Sequence, residues 1–176
     1  MAAREAPDGS ASAGPLGAFV VVSFVEPTPV GTRFSKRSWP LHVTLVRFDA
    51  PRAAALAACG RALSALDGAI RVRVAGEADF GYRGRVRVSL VEADPVLQEL
   101  HDGVLAEVQT AVREGGGHVH SPQHTGRGFR PHVSVQGTRR VRRGEWLSLE
   151  TVSLVDMAPG GDTSVRDVVA EWAPQA

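Results

Sequence analysis

Apolar and polar positions change rhythm several times along the 176-residue chain, and each change marks an element. Residues 1–14 are rich in Ala, Ser, Gly and Pro without any period and read as a disordered leader. Ala18 to Val25 is a continuous β-branched and aromatic run of the buried-strand type. Glu26 to Pro40 holds three prolines and a glycine and reads as a loop, and Leu41 to Phe48 follows as a strand. Asp49-Ala50-Pro51 has the form of a helix start, and Arg52 to Leu66 reads as an Ala/Leu helix ending near Gly68. Ile70 to Val74 and Arg85 to Val91 alternate basic and apolar residues, the pattern of strands with one wet face, joined through Phe80-Gly81-Tyr82-Arg83-Gly84. Asp94-Pro95 opens a second helix, Val96 to Arg113, with Leu97, Leu100, Val104, Val108 and Val112 in helical spacing. Gly115-Gly116-Gly117 ends it, and His101 is expected on its exposed side. His118 to Pro131 reads as a long polar loop. Trp146 to Asp156 and Val165 to Trp172 read as further strands, with a turn at Pro159-Gly160-Gly161-Asp162 between them.

This order predicts an α+β fold over residues 15–176, one domain whose two halves echo each other and each send a strand to a central cleft. The net charge of +1 gives no global field toward nucleic acid or membrane, although arginines cluster at Arg71–Arg87 and Arg127–Arg143. Cys59 is the single cysteine, so an intrachain disulfide is excluded and a reducing, cytoplasmic setting is expected. In its Ala-rich helix it reads as a small buried residue. No apolar run reaches membrane-span length, and the N-terminal residues lack the basic-then-apolar order of a signal peptide.

The candidate chemistry lies in two matching tetrapeptides, His42-Val43-Thr44-Leu45 and His132-Val133-Ser134-Val135, 90 positions apart. Each follows an aromatic residue and a proline, in Trp39-Pro40-Leu41 and Phe129-Arg130-Pro131. Side chains alternate faces along a strand, so each motif presents one imidazole and one hydroxyl on a wet face and apolar residues on the other. Two imidazoles across one cleft are a general acid/base pair, since a pKa of about 6.5 lets either ring hold or release a proton near neutrality. Thr44 and Ser134 hydroxyls can donate to the non-bridging oxygens of a phosphate, where charge grows during attack. One such tetrapeptide is a loose pattern; two in matching context carry the argument.

With both motifs in place, HVTL and RPHVSV, the chain resembles the two-histidine (2H) phosphoesterase superfamily. Within it the likeness is to the 2′-5′ RNA ligase-like or RNA 2′,3′-cyclic phosphodiesterase group. The resemblance covers roughly Ala18 to Trp172, with Ser134 where the family more often has threonine. It implies a bilobal, pseudo-twofold fold with antiparallel sheets around the cleft and helices packed outside. It also implies phosphodiester chemistry with no metal and no cofactor, His42 acting as acid toward the leaving oxygen and His132 as base. The substrates it implies are RNA ends with a 2′,3′-cyclic phosphate or small cyclic nucleotides; the chain itself is expected to be a monomer.

Other residues compete with these for a role. Arg127 and Arg130, in the loop entering the second motif, suit a phosphate or a stacked base as well as plain solvation. Phe129, Trp39, Phe80 and Tyr82 are candidate base platforms for which core packing is the stronger expectation. His118, His120 and His124 suggest a metal, but no carboxylate or cysteine lies within their loop, so a metal site is not expected. The rival function is a nucleotide- or RNA-binding protein of the same fold without turnover, which would have no need of an acid/base pair.

Overall fold

The computed structural model describes residues 14–64 and 66–174. All of the expected leader except Gly14 lies outside the described residues. The chain runs β1 (Leu16–Phe24), β2 (Arg33–Ser35), β3 (His42–Pro51), α1 (Arg52–Leu63), β4 (Ile70–Phe80), β5 (Val86–Val91) and α2 (Pro95–Gly115). It continues through β6 (His118–Val119), β7 (His132–Ser134), β8 (Trp146–Leu149), β9 (Val152–Asp156) and β10 (Val165–Trp172). The fold is α+β, as the element order predicts.

Several boundaries depart from the sequence reading. The expected loop at residues 26–40 contains β2, which pairs with β10 at the sheet edge. The expected strand at residues 146–156 is two strands separated by Glu150 and Thr151. α1 stops at Leu63, three residues early, and β3 runs straight into it at Pro51, which caps it without a side-chain bond. α2 starts where Asp94-Pro95 predicts: the Asp94 carboxylate accepts from the Leu97 amide at 2.8 Å.

One antiparallel sheet holds the molecule, in the order β2-β10-β9-β1-β3-β7-β5-β4-β8, with β6 also paired to β3. Its curvature follows from connectivity. β8 and β9 are joined by two residues, yet six strand spacings separate them. In a flat sheet that gap is about 29 Å, whereas the short link reaches roughly 11 Å at most. The sheet therefore curls into a half-barrel. Ser23 on β1 fastens the link by donating to the Thr151 carbonyl at 2.6 Å.

The motif strands β3 and β7 lie side by side in the middle, joined through Val43 and Val133. β1 and β9 extend the sheet on one side, β5 and β4 on the other, so the two lobes are related by an approximate twofold through that valine pair. The two helices pack together on the outer face. α1 buries Ala55, Ala58, Cys59 and Leu63, and α2 buries Leu97, Val104, Leu105 and Val108. Small side chains on α1 let the helices approach closely, and an Arg61–Glu107 ion pair at 2.7 Å spans them at the surface. The main core lies between this layer and the strands; a smaller one, around Val20, Val22, Phe24, Val155 and Val168, lies across β1.

Two outcomes follow from this packing. Burial pushes the Cys59 thiol up to about 12, so a thiol reagent near neutral pH is expected to leave it untouched in the native protein and to label it once urea unfolds the chain. Gly117, at φ +107°, holds its Cα so close to β3 that an added Cβ would lie 2.0 Å from the Asp49 carbonyl oxygen. Gly117→Ala is expected to cost about 1–3 kcal/mol or more in urea unfolding. Gly116→Ala, with positive φ but open space around it, should cost less.

Candidate active site

The register of β3 against β7 assembles the site. With Val43 opposite Val133, one residue further in each direction sets His42 across from Ser134 and Thr44 across from His132. The four motif side chains thus share one face, each imidazole opposite a hydroxyl and the two imidazoles on the diagonal. Val43 and Val133 are fully buried beneath them, as the alternation predicts.

Each histidine is held in the same way. His42 Nδ1–H donates to the Pro40 carbonyl at 2.7 Å, and His132 Nδ1–H donates to the Arg130 carbonyl at 2.8 Å. A carbonyl two residues upstream thus fixes the tautomer, and the proline in each motif sets the backbone that delivers it. Nε2 is left as the ring position that can exchange a proton. Both rings are backed by aromatic side chains: His42 by Trp39, with centroids 4.7 Å apart, and His132 by Phe80 at 4.9 Å.

Burial lowers the His42 imidazole below its ordinary value; the Pro40 carbonyl opposes this, and proximity to His132 lowers it further. His132 is lowered for the same first reason, opposed by the Arg130 carbonyl and reinforced by the Arg130 charge and by His124. Both rings therefore favour the neutral form without ligand. A phosphate bound between them would oppose that shift, since an opposite charge nearby favours the charged imidazole.

A cleft of about 650 Å³ opens beside this face, lined among others by Thr44, Arg47, Phe80, His124, Phe129, Arg130 and His132. Of the sequence candidates, Thr44, Phe80, His120, His124, Phe129, Arg130 and His132 reach its wall, while His42 and Ser134 flank it by register. Arg130 lies over the Phe80 ring at 4.9 Å. Arg127 is exposed on the 3-10 turn Gly126–Gly128, outside the lining. Trp39 packs into the smaller core against Phe34, as expected of a core aromatic, and its carbonyl accepts from Arg139. Tyr82 is exposed and attended by Arg83 and Arg85 rather than by the cleft.

The structure corrects the expectation for His101. It is wholly buried, at 0% exposure. Its Nδ1–H donates to the Leu45 carbonyl at 3.0 Å, its Nε2 accepts from the Gly126 amide at 2.9 Å, and its ring stacks on Phe129 at 4.0 Å. The spacing carried the signal: Leu97, His101, Val104 and Val108 form one helical stripe. Arg47 was also missed as a cleft residue. Leu45 is the extra residue of a β-bulge, since Val21 pairs Val46 and Val22 pairs Thr44. Beyond the bulge the alternation inverts, so Arg47 and Asp49 join the wet side of β3 while Val46 and Phe48 turn into the core.

The curled antiparallel sheet with two helices outside and two His-x-(Thr/Ser) strands at its centre defines a class, the LigT-like fold. TT0787 of Thermus thermophilus has this fold, with TM-score 0.59 and 21% identity over 89% of this chain and 97% of that one. E. coli LigT in complex with 3′-AMP superposes with TM-score 0.58 at 14% identity, over 93% of this chain and 100% of LigT. A structure described as a phosphoesterase gives TM-score 0.55 at 12% identity, covering 93% and 100%. The sequence model of the 2′-5′ RNA ligase superfamily matches residues 33–144, more than half of the chain and both motifs. The protein belongs to that superfamily, among the 2H phosphoesterases. No curated protein matches the chain.

His101 leads to a pH prediction. Its bond from the Gly126 amide requires a neutral Nε2, and burial lowers its pKa. As pH falls the unfolded chain takes up this proton first. The stabilisation is full above the ordinary imidazole value of about 6.5 and is lost as pH falls through the depressed folded value. His42 and His132 act in the same direction. The unfolding free energy from urea titrations should therefore drop between neutrality and mildly acidic pH, more shallowly in His101→Asn; equal slopes would remove His101 from this role.

Proposed function

We propose that the protein is a metal-independent phosphodiesterase that opens 2′,3′-cyclic phosphates on RNA ends or small nucleotides. The observation that carries this reading is the matched tethering of two imidazoles, each with Nδ1 on a carbonyl two residues upstream, on one face of adjacent strands. In-line displacement at phosphorus needs a base on the attacking oxygen and an acid on the departing one, and such a pair supplies both.

In the hydrolytic direction one Nε2 takes the proton of water as its oxygen bonds to phosphorus. The other Nε2 gives a proton to the ribose oxygen as that P–O bond breaks. Departure of the 3′ oxygen leaves a 2′-phosphate. With His42 as acid and His132 as base, Thr44 and Ser134 donate to the non-bridging oxygens and Arg130 and Arg47 balance the phosphate charge. The cycle returns both rings to their starting forms when a proton passes between them through solvent. With a ribose 5′-hydroxyl in place of water as nucleophile, the same displacement of the 3′ oxygen is 2′-5′ ligation by the same residues.

The cleft is roomy enough for a nucleotide, and Phe129 and Phe80 on its wall offer aromatic surface for a base. LigT, which shares the fold, is known in complexes with 3′-AMP, ATP and phosphate. The single buried, reduced cysteine accords with a cytoplasmic setting. Among the described residues no helix is long and apolar enough to cross a membrane.

The test is turnover of the four nucleoside 2′,3′-cyclic monophosphates and of a short RNA with a cyclic phosphate end, with and without EDTA. Hydrolysis to the 2′-phosphate should persist in EDTA and fall by about 10²–10⁴ in His42→Ala and in His132→Ala. Thr44→Ala and Ser134→Ala should lose about 10²–10³ in kcat if each donates to the growing oxyanion. The kcat/KM profile should be bell-shaped, with its acid limb shifted below the ordinary imidazole value because burial lowers both rings. Nucleotide binding without hydrolysis of any of these esters would replace this reading with the binding protein.

A further inference from the structure

The three loop histidines part company in the folded chain. His120 and His124 both reach the cleft wall and His118 does not, while His118 and His120 turn to Asp49 on β3. We propose that Asp49, His118 and His120 form a binding site for a zinc-class divalent transition metal ion at the rim of the cleft, with neither of the paired histidines among its ligands.

The distances fit a coordination shell. Asp49 Oδ1 and His120 Nε2 are 2.9 Å apart, and Asp49 Oδ2 and His118 Nδ1 are 3.5 Å apart. All three donor atoms lie within 4.8 Å of one another. Ligands at about 2.1 Å from a tetrahedral ion stand roughly 3.4 Å from each other, a spacing that each imidazole already keeps to one of the two Asp49 oxygens. An ion would replace the hydrogen bond that His120 now makes to Asp49.

The backbone pre-organises the set. His118 pairs with Asp49 across β3 and β6, and the His120 amide continues the ladder by donating to the Arg47 carbonyl at 2.8 Å. In the His-x-His segment, Val119 turns into the core, so both imidazoles fall on the Asp49 side. Gly117 lets the strand approach β3 closely enough for this pairing. Two imidazoles and one carboxylate favour zinc, cobalt or nickel over magnesium or calcium, which prefer all-oxygen shells. The carboxylate neutralises one of the two positive charges, and the exposed side of His118 leaves the remaining positions open to water or an anionic oxygen. The ion would cross-link the start of the 118–131 segment to β3.

This inference does not depend on the cyclic phosphate reading. The test uses the tag-free full chain, stripped with EDTA and titrated with Co²⁺ by visible absorption, then with Zn²⁺ in competition. The expected result is one ion per chain with micromolar or tighter affinity, weakened at least tenfold by His118→Ala and by Asp49→Asn, and unchanged by His124→Ala. Zn²⁺ should raise the Tm of the parent protein and not that of His118→Ala. Circular dichroism and retained turnover in EDTA show that His118→Ala is folded, since His118 lies outside the cleft lining. Binding of equal strength in the parent and His118→Ala, or loss of binding in His42→Ala or His132→Ala instead, would overturn the proposal. Absence of turnover with the Co²⁺ site intact would count against the proposed reaction alone.

Discussion

The pairing of Val43 with Val133 is the constraint on which the rest depends. It is a single rung between a long strand and a three-residue strand, yet it decides which four polar side chains meet. A slip of one residue would turn the histidines into the core and the valines into water. What prevents the slip is burial on the underside. Val43 and Val133 are fully enclosed, and Leu45 and Leu97 are buried in the same core. β7 gains further definition from β5, where Ser89 pairs with Val133 and sends its hydroxyl to the Val141 carbonyl at 2.9 Å. The face that carries the four motif side chains is thus specified by apolar packing on its underside.

The bulge at Leu45 joins that register to the helices. A bulge leaves one residue without a ladder partner and re-aims the strand beyond it. Here the Leu45 carbonyl finds its donor in His101, whose other nitrogen receives the Gly126 amide. One buried neutral ring therefore spans β3, α2 and the turn leading to Phe129 and Arg130. Neither Ala nor Leu at position 101 could satisfy both backbone groups, which explains a histidine in an otherwise apolar stripe.

The motif strands and the helix starts were legible because their signals are local. Alternation over four residues identifies a half-buried strand, and Asp94-Pro95 is a start signal that the structure meets with a cap bond. The wet-faced pattern of Ile70–Val74 likewise names a strand whose inward valines are buried. The features that were missed arise from chain segments far apart. Asp49 reaches His120 across 71 positions, so no inspection of the 118–131 loop could supply that carboxylate. The bulge is equally hidden, because strict alternation along residues 42–49 sends Arg47 inward and only the mismatch with β1 reveals the extra residue. Arg130 and Arg127 show the same limit at short range: three residues apart in one loop, only the former turns onto Phe80 and the cleft.

The two histidines share a design that accounts for the duplicated Pro-containing approach. A proline one or two residues before each motif holds the chain extended, so the carbonyl two residues before the ring folds back onto Nδ1. The aromatic residue behind each ring differs in origin: Trp39 comes from the approach to β3, whereas Phe80 comes from the end of β4. The lobes thus repeat the backbone device and not the packing around it. That difference gives the rings unequal surroundings, with Arg130 and His124 charges acting on His132, and burial with the partner ring acting on His42. Unequal surroundings are what an acid and a base need if one is to hold its proton while the other gives it up.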